Sequence, residues 1–471
     1  MKPALALVLL LVTALTGCTA MDGGATAPRP RATATAAPSP DRPVVTLAYE
    51  MSGDLRSAAG QETIVFTPDR KICEVVLRAW PNKPVLTRAG NAMTVDAVAV
   101  DGTPLRTTVQ AAGALADASG TLVEAALPSC AEAGTSVTIT ADFSLTFGPD
   151  TDERMGYSTE GDLAWFQTAF PLLAWQSGVG WVRDAAVDMH GETVTSETFT
   201  LADLAVTAPT GLAVAGVGTQ GAPQRGSAGT THHFSAPHMR DVAVMVGDFA
   251  IEERVLSGTT VHLAVPSFGQ LNDADAWRSQ VSRSLSGLVD YLGPVPYDDL
   301  WINVVPSLTE GIESSGGIQL GARGRRVAGW LVTHELAHQW VYALVGNNHA
   351  LHPWLDEAVV SMIEAVVSDP GRSPEIRGED WESLAEDIGR PMSFFGGSHH
   401  SDKMYDATVY SAGASLLIEA RDAAGHDDFD AALRSYIMTN AHRVATPEDF
   451  ADSFADVKGV RSALKRGGMV P

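Results

Sequence analysis

From about residue 43 to 250, apolar and polar positions tend to alternate along the chain, the signature of strands with one face on a core. Ile72–Leu77 (ICEVVL), Ser136–Leu145 (SVTITADFSL) and Thr198–Val206 (TFTLADLAV) are rich in β-forming residues. Asp101-Gly102 and Pro209-Thr210-Gly211 punctuate such runs as turns. The pattern predicts antiparallel sheets in an all-β sandwich or saddle over 43–250. From about residue 251 the period lengthens. Asp275–Leu292 carries Trp277, Val281, Leu285, Leu288, Val289 and Leu292 at helical spacing and stops at Gly293-Pro294. Further helices are expected around His334, from Glu357, over Ala414–Ala424 and over Asp428–Met438, and Thr446-Pro447-Glu448-Asp449 reads as a capped start. A multidomain chain is predicted, with a mainly helical α+β domain over 251–471 behind the β domain.

The amino end has a different character. Lys2 precedes an apolar run over residues 4–16, too short to span a bilayer as a permanent helix, so residues 1–17 read as a secretion signal. Leu15-Thr16-Gly17-Cys18 resembles a bacterial lipobox, which implies cleavage before Cys18 and a lipid on its thiol. An ordinary secreted protein with an incidental cysteine is the alternative. Residues 18–42 are Ala-, Thr- and Pro-rich with almost no large apolar side chains, a composition that cannot offset its own ordering entropy and predicts a disordered tether. An extracytoplasmic, membrane-anchored protein is expected. Cys73 and Cys130 would then remain as an even pair in an exported chain, consistent with one disulfide. The roughly 430 residues beyond the tether suffice for two or three domains. A net charge of −24 with no basic run excludes nucleic acid as a partner.

The chemistry concentrates in residues 334–357, HELAHQWVYALVGNNHALHPWLDE. His334 and His338 are four apart and share a helix face, so two imidazoles can grip one Zn²⁺. Glu335 follows the first ligand, placed to take a proton from an attacking water. Glu357 opens the next helical run and can supply the third ligand. An amphipathic helix that merely contains these residues is the bland alternative.

The spacing argues against that alternative. Eighteen residues separate His338 from Glu357, and the latter sits in Trp354-Leu355-Asp356-Glu357. This resembles the M1 family of metallopeptidases, whose pattern is HExxH, eighteen residues, then Glu within WL-[ND]-E-G. Gln339 and Trp340 complete the family's HELAHQW wording. Upstream, Glu310-Gly311-Ile312-Glu313-Ser314 resembles the family's GAMEN strand, which implies that Glu313 holds a substrate's free amino terminus. Downstream, Tyr410-Ser411-Ala412-Gly413-Ala414 resembles Y-x-K-G-A, which implies that the Tyr410 hydroxyl stabilises the oxyanion; Tyr405 matches a second tyrosine of some members. Glu364, two turns beyond Glu357, takes the place of a family glutamate that orients a ligand histidine. Val242–Phe249 is similar to the strand closing the family's first domain.

The resemblance implies a thermolysin-like catalytic domain, one zinc ion, peptide substrates and aminopeptidase activity. It is strong over the catalytic region and weak over the β region. With residue 471 so soon after the last expected helix, the additional C-terminal helical domain of longer members is expected to be missing. Ala358, Ser314 and Ala412 stand where the family has Gly, Asn and Lys, which bears on substrate fit. A peptide- or partner-binding lipoprotein without turnover, an endopeptidase and a non-peptide hydrolase are the competing functions. His349, His352 and His399-His400 read as loop residues, and Trp340 as packing.

Overall fold

A computed structural model describes residues 35–191, 197–268, 274–322, 327–368, 381–396 and 402–471. Cys18, the signal, most of the tether and His399-His400 lie outside the described residues.

Strands dominate up to residue 266. Val44–Met51 (β1), Ser57–Phe66 (β2), Ala92–Val100 (β3), Val137–Thr146 (β4), Phe199–Ala208 (β5) and Thr230–Met239 (β6) lie in one sheet in the order β6-β5-β1-β2-β4-β3. The alternation expected from sequence holds here: in β4 every second side chain from Val137 to Leu145 is buried. The β1–β5 pair is parallel and its other neighbours antiparallel, so the sheet is mixed. Asp101 and Gly102 both have positive φ, 49° and 75°, and join β3 to Thr103–Leu105 through a two-residue hairpin turn. Smaller sheets pack over this one, and their apolar faces form one continuous core from Val45 to Ala343. Cys73 and Cys130 are joined across the paired strands Ile72–Arg78 and Leu122–Ala131.

A second sheet starts at Phe249–Leu256 (β7), followed by Thr259–Pro266 (β8), Asp299–Val305 (β9), Gly311–Ser314 (β10) and Gly317–Gly321 (β11), in the order β7-β8-β9-β11-β10. Its strand β9 is almost wholly buried because the helix Ala274–Leu292 (α1) covers one face. Among the helices that follow, three build the site: Gly329–Ala337 (α2), Glu357–Ser368 (α3) and Gly413–Ala424 (α4). The capped start expected at Thr446 is present, as a capping box with Asp449. A strand-rich first region, interrupted by the short helix Pro84–Arg88 where an all-β region was expected, followed by a mainly helical α+β region is therefore the architecture. Among the described residues, no helix is long and apolar enough to cross a membrane.

Candidate metal centre and its cleft

Helix α2 is largely apolar and buried from Leu331 onward, and its polar positions are few: Thr333, His334 and Glu335. His334 lies in its last turn and His338 caps its end. Their Nε2 atoms are 3.2 Å apart, and Glu357 Oε2, from the first residue of α3, lies 3.4 and 3.6 Å from them. With metal–ligand bonds of about 2.0–2.2 Å, neighbouring corners of a tetrahedron are about 3.3–3.6 Å apart, so one zinc ion fits this donor triangle. Glu357 Oε2 is buried and, apart from the two imidazoles it faces, has no hydrogen-bond partner among the described residues, which leaves it available to a cation. Burial disfavours the charged form of His338, but the Glu357, Glu313 and Glu335 carboxylates around it together outweigh burial and push that imidazole up to about 10.

Three contacts hold this triangle. His338 Nδ1 donates to the Val341 carbonyl at 3.2 Å, which presents Nε2 to the site. The Glu357 N–H donates to Asp356 Oδ1 at 2.8 Å, and Asp356 in turn faces the fully buried His349. Gln339 donates to the carbonyls of Ser314 and Gly317 and accepts from Gly316 N–H, tying α2 to the β10–β11 hairpin. None of these three supports was legible beforehand. His349 read as a plain loop residue, and only a requirement that a buried Asp have a partner could have singled it out.

Glu335 is fully buried, and burial holds its carboxyl well above the usual range. Its side chain lies across Gly311, where any Cβ would overlap it. The glycine of the Glu310–Ser314 string is thus needed for the close approach of strand and helix. Glu313, on β10, brings a carboxylate oxygen within 4.8 Å of donor atoms of Glu335 and His338. Tyr410 stacks on the His334 ring at 5.8 Å between centroids and stands at 78° to Tyr405, 5.7 Å away. It sits on a wide π-helical segment, Asp406–Ala412, that runs directly into α4. Such widened turns recur at functional sites because they redirect a side chain without ending the helix.

Glu364 also lines the cleft. Burial pushes it up to about 7, opposed by the Ser368 hydroxyl one turn on. Among the described contacts none joins it to either histidine, and for His338 the main-chain carbonyl of Val341 takes the orienting position. Ala358 points away from the substrate space: it is fully buried, and a Cβ at Gly413 would meet its methyl at 2.5 Å. The Ser314 side chain is likewise sealed from solvent and lies outside the cleft lining.

His334, Glu335, His338, Glu357, Glu313 and Tyr410 line a cleft of about 560 Å³ whose other wall comes from the β-rich region: Asp152, Arg154, Met189, His190 and Gly191. Asp152 accepts from the Thr309 N–H and hydroxyl at 2.8 and 2.7 Å. Lys83, almost fully buried, donates to the Met189 carbonyl at 3.1 Å beside Glu153, whose other oxygen accepts from Gly191 N–H. Arg154 meets Glu313 at 2.7 Å. Asp241 gathers the Ser315 N–H, the Tyr342 hydroxyl and the Gln167 amide, joining both regions behind the wall.

Residues 321–466 match the Peptidase family M1 domain. Aminopeptidase M1-B of Oryza sativa subsp. japonica is 26% identical over 249 residues, 47% of this chain and 28% of the rice protein. Endoplasmic reticulum aminopeptidase 1 of Homo sapiens is 25% identical over 244 residues, 46% of this chain and 25% of the human protein. The chain thus spans roughly a quarter of the length of these curated relatives. An M1 zinc metallopeptidase from Deinococcus radiodurans superposes with a TM-score of 0.64 at 18% identity, over 94% of this chain and 96% of that one. A mutant of that enzyme with bound Tyr-Ser-Ala substrate gives 0.65 at 19%, over 91% and 94%. The chain therefore carries, over residues 321–466, a peptidase family M1 domain set in the fold of the M1 zinc metallopeptidases.

Proposed function

We propose that the protein is a zinc-dependent metallopeptidase of aminopeptidase type that hydrolyses peptides outside the cytoplasm. The observation that carries the reading is the meeting of His334, His338 and Glu357 at zinc-compatible distances beside a buried Glu335 in an open cleft. Relatives named as aminopeptidases and a related fold with a peptide bound support it.

A Zn²⁺ held by the three donors would supply Lewis acidity and make water acidic enough to attack near neutral pH. Glu335, with a raised affinity for protons, takes the proton of the attacking water and returns it to the leaving amine. Tyr410, stacked beside His334, donates its hydroxyl hydrogen to the oxyanion that develops at the scissile carbonyl. Glu313 faces the substrate's amino end. The test is Glu335→Gln, which keeps shape and metal donors but cannot accept the proton. Release of amino acids from a peptide library should fall about 10²–10⁴-fold with about one zinc per chain retained. Near-normal turnover in that variant would remove Glu335 from the role of base.

The location rests on the sequence, through Lys2, the apolar run and Cys18. Cys18→Ser should move the protein from the membrane fraction to a soluble or uncleaved form. An unmodified amino terminus elsewhere, found by mass spectrometry, would dispose of the anchor.

A further inference from the structure

We propose that Arg154 sets how strongly the cleft demands a free amino terminus, by competing with the substrate's ammonium for Glu313. The inference rests on the peptidase reading and deepens it. Arg154 leaves the β-rich region and reaches across 159 positions of sequence to Glu313: Nη2 meets Oε1 at 2.7 Å and Nη1 the main-chain oxygen at 3.3 Å. Its Nε donates to the Gly191 carbonyl, so the guanidinium is fixed on both sides. The two side chains are 3% and 7% exposed. Both line the cleft, where Arg154 is the one arginine or lysine among the described lining residues.

The consequence is electrostatic. A carboxylate that already bears a guanidinium at hydrogen-bond distance is nearly neutral to a second cation. At this burial solvent screens the guanidinium's repulsion of that cation only weakly. An ammonium at the Glu313 end of the cleft therefore gains less from Glu313 than the bare carboxylate would offer. Peptides with a capped amino end, or chains threading past it, lose correspondingly little. The β-rich region thereby acts on specificity through one side chain.

The test compares L-leucine with 4-methylpentanoate, which lacks only the ammonium, by calorimetry on the zinc-loaded full-length protein. Neither ligand has a peptide bond, so the result does not depend on turnover. In the wild type the two should bind within about threefold of each other, and in Arg154→Met the preference for leucine should rise about tenfold or more. Arg154→Lys, which keeps the charge, should stay near the wild-type ratio. If Arg154→Met does not fold, Arg154→Gln, which keeps a donor to the carboxylate without charge, carries the same expectation. A ratio unchanged or lowered on loss of the charge overturns the proposal, as does failure of every variant to bind either ligand. Parallel rates on a peptide and its N-acetyl form judge the peptidase reading separately: a wild type that cleaves neither sinks that reading, while the affinity ratio still decides the role of Arg154.

Discussion

The two walls of the cleft are built on different principles. The helical wall takes His334, Glu335, His338 and Glu357 from a 24-residue stretch, and its geometry follows from helix periodicity plus one loop. The wall from the β-rich region takes Asp152, Arg154 and the Met189–Gly191 segment from distant places and holds them with buried charges. Helix faces are set locally, so the first wall can carry the chemistry in a short motif. The second has no such template. It depends on ion pairs that cost desolvation and are retained only when each partner is in place. Under the proposed function, bond cleavage would fall to the helical wall and control of what enters to the other.

Removing a donor from the helical wall should have the largest effect. In His338→Ala the protein should lose most of its zinc, and its activity with it, as read by metal analysis of the purified chain. Stoichiometric zinc in that variant would break the assignment of this wall to the metal.

On the side of the β-rich region, Lys83→Met should leave the buried Glu153 carboxylate with main-chain N–H donors but without its Lys83 cation. A cost of about 3–5 kcal/mol is expected in denaturant unfolding. Metal content should be unchanged, because Lys83 touches the wall and none of the donors. A variant as stable as the wild type would mean that the second wall does not rely on its buried charge.

Within the helical layer, Gly413→Ala should cost about 1–3 kcal/mol by forcing α4 away from Ala358. Ala358→Gly in the same chain should recover much of that loss, since it removes the other methyl of the contact. A double variant no more stable than the single one would show that α4 meets a different obstacle.

A pH-dependent effect is expected away from both walls. Glu62 faces the core of β2 with both carboxylate oxygens unpartnered among the described residues, and burial raises it well above 4.5. A folded-state affinity for protons above that of the unfolded chain contributes stability that is full below about pH 4.5 and declines as pH rises. The decline should approach about 1.4 kcal/mol per pH unit until Glu62 ionises in the folded state. Melting temperature measured against pH should therefore slope downward above about pH 5, and Glu62→Gln should flatten that slope. A profile identical to the wild type would place Glu62 beside a partner in solution.

Much of the helical wall could be read from the sequence because its information is local. Four-residue spacing puts His334 and His338 on one face, and the placement of Glu357 at the head of α3 turns its carboxylate back toward them. The alternation in β4 and the Asp101-Gly102 turn were equally legible, since period and positive φ are properties of short segments. Tertiary structure alone decided the rest. The Val341 carbonyl as partner of His338, the His349–Asp356 pair behind Glu357, and Gln339 as a clamp on β10–β11 each depend on which loops fold back onto α2. Ala358 read as a departure that bears on substrate fit, yet packing seats its methyl against Gly413. Arg154 and Glu313 are 159 residues apart, and no periodicity of either segment announces the other. A side chain's face is written in its neighbours along the chain, whereas its partner is chosen by how two surfaces pack, which is why the donors could be read in advance and the guanidinium beside them could not.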